Sequence, residues 1–375
     1  MKALIAATAA LASLVAPGPA GSAPVPTDPP ARPAPATRAD LPAPGEGWYL
    51  AAVEQGRPGR EGLRGERLRL ELVAPDGDRT RVGRALRPGW RLVDWSADGS
   101  TALLTVDQPH RVVLRVDVTT GDVTRSRLPD RVAEVILAPD GDGLLTVDYE
   151  GRDTRAPLKR VSADGAVTRL TPDVDGPVLP TPDGTGLVTH GPSWRQRAIR
   201  LLSSADGSVQ TVIPTPRRCT PVRWWDDHRV LVTCLAHGAT TLGLVDMHAA
   251  TYTRLTARRH PQRSDLGHLD ARRADGRLYV QVAGPCGYAY LGRRHPNGRI
   301  THVEVPHAVG NVLLVDAHDG RLTLQHAINC DGAAPRSALA SFDPSTGKER
   351  RLVVLPRDRA FAAVLPYGER RPTGY

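Results

Sequence analysis

The sequence predicts an all-β fold built of repeated four-stranded antiparallel units, and three observations predict it. Beyond residue 48 no apolar stripe of helical period occurs; short β-branched runs such as TALLTV, RVVLRVDV, GLVTH, RVLVTC and RLTLQH recur instead. These runs are bounded by Asp-Gly, Asn-Gly and Thr-Gly pairs, which make hairpin turns because glycine accepts the positive φ such turns require. The turns also fall into two interleaved series. One runs through Asp98, Asp140, Asp183, Asp227, Asp275, Asp319 and Tyr367, with spacings of 42, 43, 44, 48, 44 and 48 residues. The other runs through Gly77, Gly121, Gly165, Gly207, Ala249, Gly298 and Gly347, with spacings of 44, 44, 42, 42, 49 and 49. Two turns in each repeat of about 45 residues mean four strands per repeat (A, turn, B, loop, C, turn, D), which is the signature of a β-propeller blade.

Taken in chain order, residues 1–20 read as a secretory signal: Met1 and Lys2, the apolar run ALIAATAALASLV, then small residues around Ala20. A run of that length spans about 20 Å as a helix, short of the roughly 30 Å of a hydrocarbon core, so no membrane insertion is expected. Residues 21–45 are a Pro/Ala-rich linker with no apolar periodicity to bury. Residues 46–368 are the propeller and 369–375 a tail. The first repeat supplies only strands B, C and D, over 48–53, 68–74 and 80–86. Its missing strand A is available at 361–365, ahead of Tyr367 and Gly368. The expected architecture is therefore a seven-bladed propeller whose ring is closed by a C-terminal strand joining the first blade, which removes both free sheet edges.

The formal net charge of +9 does not point to nucleic acid. Only Lys2, Lys159 and Lys348 are lysine among the 49 cations; the rest are Arg, dispersed along the chain without a basic block, as in a GC-rich coding sequence.

Three turn segments carry a family resemblance: WSADGSTALLTV at Trp95, APDGDGLLTV at Ala138 and TPDGTGLVTH at Thr181. They resemble the WD40-like propeller repeat of the TolB type, in which an aromatic-Ser-Pro-Asp-Gly turn precedes strand B. The resemblance covers roughly residues 48–368. It departs from the family in keeping the aromatic only at Trp95 and Trp224, and in counting seven repeats where TolB has six. It implies extracytoplasmic recognition or scaffolding and no defined reaction.

Four cysteines in an exported chain suggest two disulfides. Cys219 and Cys234 lie at equal distances from the Asp226–Asp227 turn and should oppose each other on strands A and B of the fifth blade. Cys286 and Cys330 fall in B–C loops of the sixth and seventh blades and would pin neighbouring blades together. No CxxC pair is present, so a cysteine metal site is not expected.

Binding residues are expected on the face where the B–C and D–A loops open around the channel. They are Tyr149, Arg152, Trp194, Arg195 and His237, with Trp194 in GPSWRQR suited to stacking on a sugar or anchoring a protein. Counted back from the A–B turn, one row of strand A reads Val93, Val135, Val178, Val222, Asp270, Leu314. The row before it reads Leu92, Glu134, Pro177, Pro221, Leu269, Leu313. Both rows read as core. A weak metal alternative rests on Glu134 and Asp270, with His268 and Asn311 near the channel mouth. GxSxG, HExxH, P-loop and SxDxGxTW motifs do not occur. The leading expectation is a secreted, monomeric, non-enzymatic propeller that binds a protein or cell-envelope glycan and uses no cofactor. The alternative is an extracytoplasmic propeller hydrolase or lyase with a channel-mouth site.

Overall fold

Six Asp-Gly turns are closed by their own aspartates. Asp76, Asp98, Asp140, Asp164, Asp183 and Asp206 each accept, through Oδ1, the amide two residues on, at 3.0–3.1 Å. The glycine that follows takes the left-handed conformation, for example Gly99 at φ 74° and Gly207 at φ 72°. At Gly207 the turn is also pressed against its neighbour: a Cβ there would lie 2.4 Å from the Leu170 carbonyl oxygen. The Ser162 hydroxyl and the Ala166 amide hold the Asp164 carboxyl below the usual carboxylate range, and the Thr181 and Thr185 hydroxyls do the same for Asp183.

The computed structural model describes residues 43–370 apart from 60–61, 107–109, 149–155, 175, 192–195, 237, 258–265, 309 and 328–335. The expected signal and most of the linker lie outside these residues. The strands are β1 (Tyr49–Gly59), β2 (Gly62–Val73) and β3 (Arg79–Leu86), then β4 (Arg91–Trp95), β5 (Thr101–Thr105), β6 (His110–Asp117) and β7 (Val123–Leu137). They continue as β8 (Leu144–Asp148), β9 (Ala156–Val161) and β10 (Val167–Val174), then β11 (Val178–Pro180), β12 (Gly186–His190), β13 (Ala198–Ser203) and β14 (Val209–Pro214). Next come β15 (Cys219–Trp224), β16 (Arg229–Ala236), β17 (Ala239–Asp246) and β18 (Thr251–Arg254), followed by β19 (Gly267–Ala274), β20 (Arg277–Ala283), β21 (Ala289–Arg294) and β22 (Ile300–His302). The last are β23 (Asn311–His318), β24 (Arg321–Ala327), β25 (Ala338–Asp343), β26 (Lys348–Val354) and β27 (Arg359–Pro366).

Hydrogen bonding groups these strands into five sheets, not seven separate ones, with four, seven, four, eight and four strands. Two local features account for the difference. β7 runs unbroken, so that Val123–Arg127 pairs with β6 while Val132–Leu137 pairs with β8, and one strand is both the last of one four-stranded meander and the first of the next. The meanders β15–β18 and β19–β22 are merged by a single parallel bridge, Thr240 to Gly267. Gly267 is forced there: a Cβ would lie 2.4 Å from Thr240 Oγ1 and 2.5 Å from its backbone nitrogen. The first sheet has the order β27-β1-β2-β3, so the last strand lies antiparallel beside the first, from Tyr49 opposite Pro366 to Gln55 opposite Arg359.

The apolar faces of consecutive meanders meet in discrete clusters. Leu50, Leu70 and Leu72 pack on Leu92, Trp95 and Leu104. Leu179, Val188 and Ile199 pack on Val230, Val232 and Val245. Between the last meander and the first, Val315, Leu339 and Val353 pack on Tyr49, Val53 and Phe361. The alternating pattern of each strand thus buries both sheet faces. Cys219 stands directly opposite Cys234 and is bonded to it, with the Cα atoms 4.0 Å apart as in a non-hydrogen-bonded pair. Cys330, and with it the expected bond to Cys286, lies outside the described residues. No helix among the described residues is long and apolar enough to cross a membrane.

Candidate functional site

Five of the meanders' first strands share a defect that places charge, whereas β11 has no slip and the slip in β27 leads to the uncharged Ala363. In β4, β7, β15, β19 and β23 the pairing register slips by one residue, at Leu92/Asp94, Val132/Glu134, Pro221/Arg223, His268/Asp270 and Leu314/Asp316. The residue beyond the slip is charged in all five: Asp94, Glu134, Arg223, Asp270 and Asp316. The two rows counted from the turn in the sequence are therefore not true rows. The charged positions stand at differing distances from their turns, so a fixed count mixes Glu134 and Asp270 with core residues such as Val93 and Val222.

Asp94, Arg223 and Asp270 are buried, Glu134 and Asp316 half-buried, and the belt they form is tied across neighbouring strands. Asp94, only 3% exposed, accepts the Trp95 amide at 2.9 Å and the Leu137 amide of β7 at 2.8 Å. Burial pushes its carboxyl up, against the pull of the Arg370 guanidinium at 3.2 Å and the two amides. Arg223 donates from Nε to Asp270 Oδ1 at 3.0 Å and from Nη2 to the Ala271 carbonyl, joining β15 to β19. Asp270 Oδ1 also accepts the Ala271 amide at 2.7 Å. Arg272 donates to the Val315 carbonyl at 2.8 Å, joining β19 to β23. Burial alone would lower Arg272, but the Glu369, Asp270 and Asp316 carboxylates hold it firmly charged.

Glu134 differs from the other four. It accepts the Val178 amide of β11, but its Oε2 is buried with no hydrogen-bond partner, and no cation among the described residues acts on it. Desolvation pushes its pKa up to about 8, with the Val178 amide opposing. A carboxyl raised that far holds its proton at neutral pH, and Glu134 stands in the same belt as the Arg223–Asp270 and Arg272–Glu369 salt bridges. A desolvated carboxylic acid kept neutral in a charged site is an arrangement from which proton donors are made.

Of the residues expected to bind ligand, Tyr149, Arg152, Trp194, Arg195 and His237 lie outside the described residues. Asp148, at the end of β8, is bound by Lys159 Nζ at 2.6 Å. The weak metal set does not assemble. Glu134 and Asp270 have the separate partners given above, His268 Nδ1 meets Thr256 Oγ1 at 2.9 Å, and Asn311 Oδ1 accepts the Ala289 amide at 2.7 Å. Among the described residues no three His, Cys, Asp or Glu side chains are grouped to hold a metal ion. Sequence reasoning missed Asp94, Arg223, Arg272 and Asp316, and also Glu369 and Arg370, which it assigned to a tail.

Comparison with known proteins places the fold. No family model matches the chain, and no curated protein matches it. Among solved structures it is similar to a puromycin-hydrolyzing peptidase from Mycobacterium tuberculosis (TM-score 0.50, 17% identity, covering 86% of this chain and 55% of that one). It is also similar to a structure from a study of two prolyl endopeptidases (TM-score 0.53, 13% identity, 80% and 49%). TolB from Acinetobacter baumannii matches at TM-score 0.45 and 14% identity, over 85% of this chain and 68% of that one. The chain thus shares a β-propeller fold with part of the two peptidases, and it spans about half their length. The non-enzymatic scaffold expected from the sequence is corrected here: the solved structures similar to the chain at TM-scores of 0.50 or more include several peptidases.

Proposed function

We propose that this protein is an extracytoplasmic propeller hydrolase or lyase whose reactive site lies in the charged belt, with Glu134 as its proton donor. In this reading the meanders are seven blades of a closed ring, the strand pair β27–β1 completes the first blade, and the first strands line a central channel. Contacts between successive first strands, and the apolar cluster joining Val315 and Leu339 to Tyr49 and Phe361, support the ring. The bonded Cys219–Cys234 pair and the leader-like N-terminus support an oxidising, extracytoplasmic location. The peptidases among the fold neighbours favour hydrolysis of a peptide-like substrate.

The observation that carries the reading is the buried, unbonded Glu134 Oε2 in a belt that also holds the Arg223–Asp270 and Arg272–Glu369 salt bridges. A general acid must hold its proton at the working pH and release it to a leaving group, and a pKa of about 8 meets the first requirement. Asp94, Arg223, Asp270 and Arg272 would orient a polar substrate, since each is already locked by its own strand neighbours. The test is turnover of chromogenic peptide anilides and esters by the purified chain, compared with Glu134→Gln. Turnover lost in the variant, with its folding intact, supports the proposal; equal turnover by both proteins refutes Glu134 as donor.

A further inference from the structure

Two residues beyond β27 enter the belt from outside the sheets. Glu369 meets Arg272 with both carboxylate oxygens, Oε1 to Nη2 at 2.7 Å and Oε2 to Nη1 at 2.5 Å. The next residue, Arg370, donates from Nη2 to Asp94 Oδ2 at 3.2 Å and to the Leu137 carbonyl at 2.9 Å. The four charged side chains are only 3–13% exposed. A single dipeptide therefore joins β19 on one side to β4 and β7 on the other.

The receiving groups are built without it. Asp94 is fixed by the Trp95 and Leu137 amides, and Arg272 by the Val315 carbonyl and by Asp316 at 3.5 Å. The dipeptide itself belongs to no strand and adds no side chain to an apolar cluster. β27 before it, in contrast, is held by seven residue pairs with β1 and by buried Phe361 and Val364. Release of Glu369 and Arg370 would thus break charge-assisted hydrogen bonds and leave every strand in place. Such bidentate Arg–carboxylate contacts are specific in geometry but compete with water and salt once exposed.

We propose that Arg272 and Asp94 form a binding site for a peptide carrying an acidic residue followed by a basic one, which Glu369–Arg370 fills in cis as a displaceable plug. Arg272 reads the carboxylate, and Asp94 with the Leu137 carbonyl reads the guanidinium. The inference deepens the proposed function and rests on the belt being the substrate site, since it names an acidic-basic peptide as the substrate class.

The test is calorimetric titration of the peptide acetyl-Gly-Glu-Arg-Arg-amide into the full chain and into a Glu369→Gln/Arg370→Gln variant. The double variant should bind the peptide at least tenfold more tightly than the parent, and more weakly as salt rises. Adding Asp94→Asn should reverse the gain, and the order-swapped peptide acetyl-Gly-Arg-Glu-Arg-amide should bind at least tenfold more weakly. A folded double variant that binds neither peptide, or both equally, overturns the proposal. Should the double variant not fold, hydrogen exchange on the parent chain decides. Saturating peptide should speed exchange at residues 369–370 and leave β27 protected, and unchanged exchange overturns the proposal. Peptide binding without turnover of any substrate would keep this site and remove the hydrolase reading; turnover without peptide binding would do the reverse.

Discussion

Replacing Glu134 by Gln should make the protein more stable, by an amount that depends on pH. The folded carboxyl has its pKa raised from 4.5 to about 8 because its Oε2 is buried without a donor. Between those values the folded chain keeps a proton that the unfolded chain releases. By linkage the parent then loses stability as pH rises, by about 1.4 kcal/mol per unit, and the loss levels off above pH 8. Below pH 4.5 both states are protonated and nothing is lost. The amide cannot titrate, and its carbonyl still accepts the Val178 amide. The difference between variant and parent should be near zero at pH 4.5 and reach about 3 to 5 kcal/mol at pH 8, the lower figure allowing for residual solvent at this half-buried side chain. Urea unfolding followed by tryptophan fluorescence at half-unit steps from pH 4 to 9 measures it. Two curves that stay parallel across that range would show that Glu134 ionises in the folded protein, and the proton-donor argument would fail with it.

Three further outcomes follow from the fold. Reducing the Cys219–Cys234 bond, or changing both residues to Ser, should cost about 3 kcal/mol, as expected for a sequence separation of 15, and reductant should cost the double variant about that much less than it costs the parent. Phe361→Ala, at a site 6% exposed between Val53, Val315 and Leu339, should cost about 3–5 kcal/mol, because it opens a cavity between the last strand and the first; a loss under 1 kcal/mol would show that β27 does not bear on that core. The turn aspartates should set the acid limit. The carboxyls of Asp183, Asp206 and Asp343 are held down by hydroxyl and amide donors, so their stabilisation is complete above pH 4 and drains as pH falls below it. Asp183→Asn keeps the acceptor but removes the titration, so its melting temperature should fall less steeply between pH 4 and pH 2.5.

Much of this architecture is legible because the turns are local chemistry. Asp-Gly pairs declare the hairpins, and the equal distance of Cys219 and Cys234 from one turn places them opposite each other without knowledge of the rest. The pairing of β27 with β1 is legible because the first repeat lacks a strand that the chain's end can supply. The belt is hidden for a specific reason. A one-residue bulge has no composition of its own to mark it, and Asp94, Glu134, Arg223, Asp270 and Asp316 stand 4, 6, 4, 5 and 3 residues ahead of Asp98, Asp140, Asp227, Asp275 and Asp319, so no fixed count back from the turn collects them. Contacts between Arg272 and Glu369, 97 residues apart, depend on where the chain goes after its last strand. No local pattern records that path, and Glu369 and Arg370 read only as a polar tail.

The most direct test of the account is the pH dependence of turnover on a peptide substrate by the parent chain, set beside Glu134→Gln. The account predicts activity that is high below pH 8, falls through about pH 8 as Glu134 loses its proton, and is abolished in the variant at every pH. Activity that persists unchanged above pH 9, or a variant as active as the parent, would contradict it.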